Sequence, residues 1–120
     1  MTQLTKAEEE IMHIIWSLER CIVSDILAEI EKQTGSKPPH STISSIVRIL
    51  EGKGFLSHKA YGRTYEYFPI ISKADYTKVT LNKLVSNYFE GSMNNLVSFL
   101  VKQEKLDMDE LSDLIEKMKD

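Results

Sequence analysis

The stretch His40-Ser41-Thr42-Ile43-Ser44-Ser45-Ile46-Val47-Arg48-Ile49-Leu50-Glu51-Gly52-Lys53-Gly54-Phe55-Leu56, with the continuation Tyr61-Gly62-Arg63-Thr64-Tyr65-Glu66-Tyr67, decides the fold. Ile43, Ile46, Val47 and Leu50 recur at i, i+3, i+4 and i+7, the spacing that gathers apolar residues on one side of a helix. At about 100° per residue, Ser41, Ser44, Ser45, Arg48 and Gly52 fall opposite that stripe. Gly54 stops the helix. Phe55 to Ala60 and Thr64 to Phe68, rich in β-formers, predict two strands around a Tyr61-Gly62-Arg63 turn, and Pro69 is expected to end the hairpin.

On the N-terminal side, Pro38-Pro39 breaks the chain just before this helix, and Gly35 ends an earlier one in the C′ role. That earlier helix carries Ile26, Leu27 and Ile30, with Ser24 as its expected cap, after a short β-like piece, Cys21-Ile22-Val23. A first helix starts at the capping box Thr5-Lys6-Ala7-Glu8 and runs to about Leu18 through Ile11, Ile14 and Ile15. The order helix, short strand, helix, helix, hairpin is that of a winged helix-turn-helix over residues 1–70. Its helix-helix turn is longer than the usual 3–4 residues.

Past the hairpin the character changes. Ser72-Lys73-Ala74-Asp75 predicts another helix start, followed by a stripe of Tyr76, Val79, Leu84, Val85, Tyr88 and Phe89. Gly91 stops that helix and Ser92 can cap the next, which carries Met93, Leu96, Val97, Leu100 and Val101. A last helix is expected from Asp107, with Met108, Leu111, Leu114, Ile115 and Met118. Three amphipathic helices in residues 71–120 enclose too little core to stand alone, so this region is expected to pair with a second copy through Tyr76, Leu84, Tyr88, Leu96, Leu100, Leu111, Leu114 and Ile115. The fold class is thus mainly α with a small β wing: a winged-helix DNA-binding domain followed by a three-helix dimerisation region.

Charge supports the DNA reading in its distribution rather than its sum. The 120 residues carry a net charge of −3. Residues 37–63, however, hold Lys37, Arg48, Lys53, Lys59 and Arg63 against Glu51 alone, while both flanks are acidic. A local basic footprint in an acidic chain binds phosphate at one place and limits indiscriminate binding elsewhere. The small hydroxyl-bearing face lets a helix sit deep in a groove, where Ser41, Thr42, Ser44 and Ser45 can bond phosphates or base edges and Arg48 can grip guanine with two hydrogen bonds. Lys53, Lys59 and Arg63 would supply charge to the backbone. Tyr65 and Tyr67 are read as sheet packing, Trp16 as core, and Glu8-Glu9-Glu10 as a solvated first turn.

Other chemistry is thin. His13, His40 and His58 show no metal-ligand spacing, and the sequence contains no phosphate-cradling glycine loop or nucleophile-base arrangement, so neither an enzyme nor a cofactor is expected. The one cysteine, Cys21, cannot form an intrachain disulfide and is expected to be a buried apolar residue. No apolar run approaches a membrane span, and the first residues do not form a signal peptide, so a reducing cytoplasm is the expected compartment.

These residues together resemble the penicillinase and methicillin-resistance repressor family, of the BlaI/MecI type. The resemblance rests on Ala7-Glu8 with Ile11-Met12 and Ile14-Ile15-Trp16, on Ser41 to Val47 with Leu50 and Lys53-Gly54-Phe55-Leu56, on Gly62 to Tyr67, and on Gly91-Ser92, Leu96-Val97 and Leu106 to Leu111. It implies a dimeric repressor on a palindromic operator, with the C-terminal helices interlocked. It also implies induction by a regulatory protease, with a cut that would fall at Phe99-Leu100. Two residues depart from the family: Ile49 stands where an arginine is common, with Arg48 one place earlier, and Phe99 stands where the best-known relatives have asparagine. The cysteine-rich tail of a copper-responsive branch is absent. Two other readings of the same fold remain: a winged-helix regulator that binds a small effector directly, and a winged-helix protein-interaction module.

Overall fold

The computed structural model describes residues 3–103 together with Asp109, Asp113 and Glu116. The described chain divides into two compact units, 1–73 and 74–120. Unit 1 runs α1 (Lys6–Leu18), α2 (Val23–Thr34), α3 (His40–Gly52), β1 (Leu56–Tyr61) and β2 (Thr64–Pro69). The fold is a mainly helical winged helix with one two-stranded antiparallel sheet.

Each helix end has a local cause. At α1 the Thr5 hydroxyl accepts from the Glu8 amide at 3.2 Å and the Glu8 carboxylate accepts from the Thr5 amide at 2.9 Å, so two amides that the helix leaves unbonded are satisfied reciprocally. At α2 the expected Ser24 cap is not used. Ser24 lies inside the helix, and the Asp25 carboxylate accepts from the Ile22 amide at 3.0 Å, placing a negative charge on the positive end of the helix dipole. The extended geometry before α2 takes in Cys21 and Ile22 only, since Val23 is already helical. Gly35 closes α2 at φ +80°, a left-handed position that costs glycine little.

The wing is tighter than the sequence suggested. Its pairs run from Leu56 opposite Pro69 to Tyr61 opposite Thr64, leaving a two-residue turn of Gly62 and Arg63. Gly62 has φ +64°, which fits the glycine-first turn whose twist matches paired strands. Pro69 ends the hairpin as expected: it is the last paired residue, a place where a missing N–H is tolerated. Cys21 joins the same sheet: its amide donates to the Tyr67 carbonyl at 3.0 Å, and the Tyr67 amide donates back at 2.7 Å.

The core of unit 1 sits where the three helices meet the base of the wing. Met12, Ile15, Ile26, Val47, Leu50, Phe55 and Leu56 are all but fully buried, and Cys21 with them. Trp16, expected in the core, is only half-buried. Its indole N–H donates to the Ile71 carbonyl at 2.8 Å, so an amphipathic ring faces inward with its polar atom bonded at the edge.

Glu8 is the main departure from the expected solvated first turn. Its carboxylate is buried and lies 2.6 Å from the Lys53 ammonium, which follows α3. The Lys53 hydrogen bond first, and the Thr5 amide second, hold its carboxyl below the usual carboxylate range. A carboxyl bound more tightly when ionised stabilises the fold above its unfolded pKa of about 4.5 and loses that contribution as pH falls through the lower folded value. Wild type should therefore be more stable than Glu8→Gln at pH 7, and urea titrations should show the gap closing towards pH 3. A gap that is the same at both pH values would refute the role of this pair.

Unit 2 contains α4 (Lys73–Tyr88), whose first residue belongs to unit 1, and α5 (Met93–Lys102). Ser92 caps α5 as expected, its hydroxyl accepting from the Asn95 amide at 3.2 Å. The Phe89 and Phe99 rings lie 5.6 Å apart. The helix expected from Asp107, and with it Leu111, Leu114 and Ile115, lies outside the described residues.

Candidate nucleic-acid interface

Helix α3 divides cleanly by chemistry. Ile43, Val47 and Leu50 are buried, while Ser41, Thr42, Ser45, Arg48, Ile49 and Gly52 are exposed. Ser44 is half-buried, with its hydroxyl 3.2 Å from His40 Nδ1. The Pro38-Pro39 break sets the helix start: Pro39 is the N-cap, and its carbonyl accepts from the Thr42 amide at 3.1 Å. The result is a low, hydroxyl-bearing face with one guanidinium, of a width that suits a major groove.

Beside this face, the start of α2, the flank of α3 and the wing enclose a cleft of about 600 Å³, lined by Ser24, His40, Ser44, Arg48, Arg63 and Tyr65 among others. The cleft has a fixed wall. His58 Nδ1 lies 2.5 Å from Glu51 Oε2, and the His58 ring stacks on Tyr65 with centroids 4.2 Å apart and planes 12° apart. This ties β1 and β2 to the last turn of α3 and so fixes the angle of the wing. Tyr67, behind it, is buried, and that burial raises its phenol pKa above the usual value, keeping it neutral. Tyr65 differs: it is exposed, and its ring serves the stack on the cleft side.

The basic residues do not all arrive at one surface. Arg48 faces the cleft and Arg63 sits at the wing turn, both exposed. Lys59 is exposed with its ammonium 5.4 Å from the Tyr61 ring centre. Lys53 is drawn away, held by Glu8 and within 3.3 Å of the Gln3 carbonyl. Arg20 adds a cation at the other edge of the wing, 4.9 Å over the Phe68 ring and 3.5 Å from Glu66. The Glu51, His58 and Tyr65 assembly had no local signal, because its members meet only once the hairpin folds back on α3. Ile49 entered the sequence reading only as the residue standing where the family commonly has arginine, and the structure leaves it exposed on α3.

In unit 2, Leu84 and Tyr88 are exposed on α4, and Tyr76 is half-buried. Leu96 and Leu100 are half-buried on α5, and Phe99 is exposed in its last turn. Among the described residues, no group of three or more His, Cys, Asp or Glu side chains could hold a metal ion, and no helix is long and apolar enough to cross a membrane.

A three-helix unit with a paired wing and an outward helix of small polar residues defines a winged helix-turn-helix protein. The penicillinase repressor family matches residues 4–120, and the chain belongs to that family. It is 29% identical over 112 residues to the methicillin resistance regulatory protein MecI of Mammaliicoccus sciuri, covering 93% of this chain and 89% of that protein. It is 28% identical over 112 residues to the penicillinase repressor of Bacillus licheniformis, covering 93% and 86%. The solution structure of the DNA binding domain of the repressor BlaI matches with a TM-score of 0.52 and 31% identity, over 62% of this chain and 88% of that one.

Proposed function

We propose that this protein is a sequence-specific DNA-binding repressor that acts as a homodimer on a palindromic operator. The observation that carries the reading is the outward face of α3: Ser41, Thr42, Ser45 and Arg48 exposed on one helix, next to a wing whose Lys59 and Arg63 are also exposed. In this reading α3 enters the major groove. The hydroxyls of Ser41, Thr42, Ser44 and Ser45 bond phosphates and base edges, and Arg48 reads a guanine. Lys59 and Arg63 grip the backbone beside the groove. Lys53 drops out of the contact set, because its ammonium is already held by Glu8. Membership of a family of repressors supports the same conclusion.

The dimer part rests on unit 2. Leu84, Tyr88, Phe99 and Val101 are large apolar residues left exposed on α4 and α5, with Tyr88 at 75%. A unit this small buries too little surface to be stable alone, and exposed apolar side chains at this density mark an interface. Two copies would place two α3 helices about 34–36 Å apart, or a multiple of that, on successive turns of the duplex. A regulatory protease cutting at Phe99-Leu100, in the last turn of α5, would break that interface and release the DNA.

Selection from a random duplex pool with the full chain, followed by mobility shifts, tests the DNA reading. Enrichment of a dyad-symmetric site is expected, and no retardation of any duplex at low salt would defeat it. On the selected site, Lys59→Ala should weaken specific and unrelated duplexes alike and flatten the slope of log affinity against log salt by about 1, one phosphate contact's worth. Sedimentation of the full chain at micromolar concentration should give a dimer; a folded monomer there would sink the pairing.

A further inference from the structure

We propose that Ile49 is a specificity residue that reads the 5-methyl group of a thymine in the major groove, an inference that rests on the DNA-binding reading above. Ile49 is 48% exposed on a helix whose core stripe is complete without it, since Ile43, Val47 and Leu50 are buried. It lines neither the cleft beside the wing nor the groove between α1, α2 and α3 that Ile43 and Ile46 line. About half of its surface is therefore left open to solvent at the outward side of α3.

Its neighbours on α3 give it reach. Ser45, one turn before, and Gly52, nearly one turn after, are small, so Ile49 stands above a low ridge. Arg48 and Ile49 are adjacent in sequence and so diverge by about 100° around the helix. They rise on opposite flanks of the line through Ser41, Ser45 and Gly52, Arg48 on the side of the wing and Ile49 on the side away from it. A helix inserted along that line presents a guanidinium to one part of the groove floor and an apolar branch to another.

The chemistry then selects the base. Isoleucine has no donor or acceptor, and the thymine methyl is the apolar group that the major-groove base edges offer. The β-branch holds χ1 in one rotamer on a helix, so little freedom is lost when the contact forms. One methyl group taken out of water is worth about 0.8 kcal/mol, or roughly fourfold in affinity. Half-sites should thus hold a guanine and a thymine within a few base pairs of each other, read by consecutive residues.

The test replaces each thymine of the selected duplex, one at a time, by deoxyuridine, which removes only the methyl. The full chain should lose about fourfold at one thymine per half-site. Ile49→Ala should bind the thymine duplex correspondingly less well and show no further loss with uracil there. Ile49→Val, which keeps the β-branch, should retain most of the discrimination. Because Ile49 is exposed, the melting temperature should stay near wild type. Indifference of the full chain to every uracil replacement would overturn the inference, as would an equal loss in Ile49→Ala. Failure to enrich any duplex would instead defeat the DNA-binding reading beneath it.

Discussion

Phe55→Ala is expected to destabilise unit 1 by about 3–5 kcal/mol, the range for deleting a fully buried aromatic ring. Phe55 is the largest fully buried side chain of the described residues, with no exposed surface. Its backbone is equally committed: its amide donates to the Leu50 carbonyl at 3.0 Å, and its carbonyl accepts from the Ile70 amide at 2.9 Å. The residue therefore joins the end of α3 to the end of the wing, and truncation opens a cavity at that join. Domains have only about 5–15 kcal/mol in hand, so the variant should be partly unfolded near body temperature. Urea denaturation followed by the fluorescence of the single tryptophan, Trp16, would show the midpoint falling at an unchanged slope. A loss under about 1 kcal/mol would mean that the site collapses around the gap and that the ring is not central to the core.

Arg48→Ala should lower affinity for the selected operator by roughly 5- to 150-fold, corresponding to about 1–3 kcal/mol for one bidentate base contact. The loss should be concentrated on one base pair: the variant should no longer distinguish guanine from other bases there, while its affinity for unrelated duplexes barely changes. Arg48→Lys should not restore the preference, because an ammonium lacks the planar fork that matches two acceptors on one guanine. The contrast with Lys59 is the decisive part. If Arg48→Ala weakened every duplex equally, Arg48 would be a phosphate contact and base reading would fall to the serines and Thr42.

The elements that sequence alone revealed are those governed by neighbours in the chain. The Thr5 and Glu8 capping box, the Ile43 to Leu50 stripe, the Gly35 stop and the Ser92 cap each depend on residues within two turns of one another, and each sits where its spacing put it. The misreadings concern competition between near-equivalent local options. Ser24 is a good cap by type, but the Asp25 carboxylate one residue later offers a charged acceptor to the Ile22 amide and takes the position. The pairings that escaped notice involve distance. Glu8 and Lys53 are 45 residues apart, and a run of three glutamates gives no sign that one turns inward. His58 meets Glu51 and Tyr65 only after the hairpin closes. Charge counting located the basic segment at residues 37–63 but could not tell that Lys53 is spent on a carboxylate while Arg48 is left outward.

Cys21 has an experimental consequence of its own. It is the only cysteine in the chain, it is buried, and burial first, with Asp25 and Glu66 adding to it, pushes its thiol up to about 12. A thiol that is neither accessible nor ionised is silent to alkylating reagents, which attack the thiolate. It becomes reactive only while the two hydrogen bonds that tie it to Tyr67 are broken. The rate at which an alkylating reagent marks this one sulfur thus counts how often the strand pairing at the base of the wing comes apart, with no label added to the protein. Operator DNA, by holding the wing in place, should slow that count.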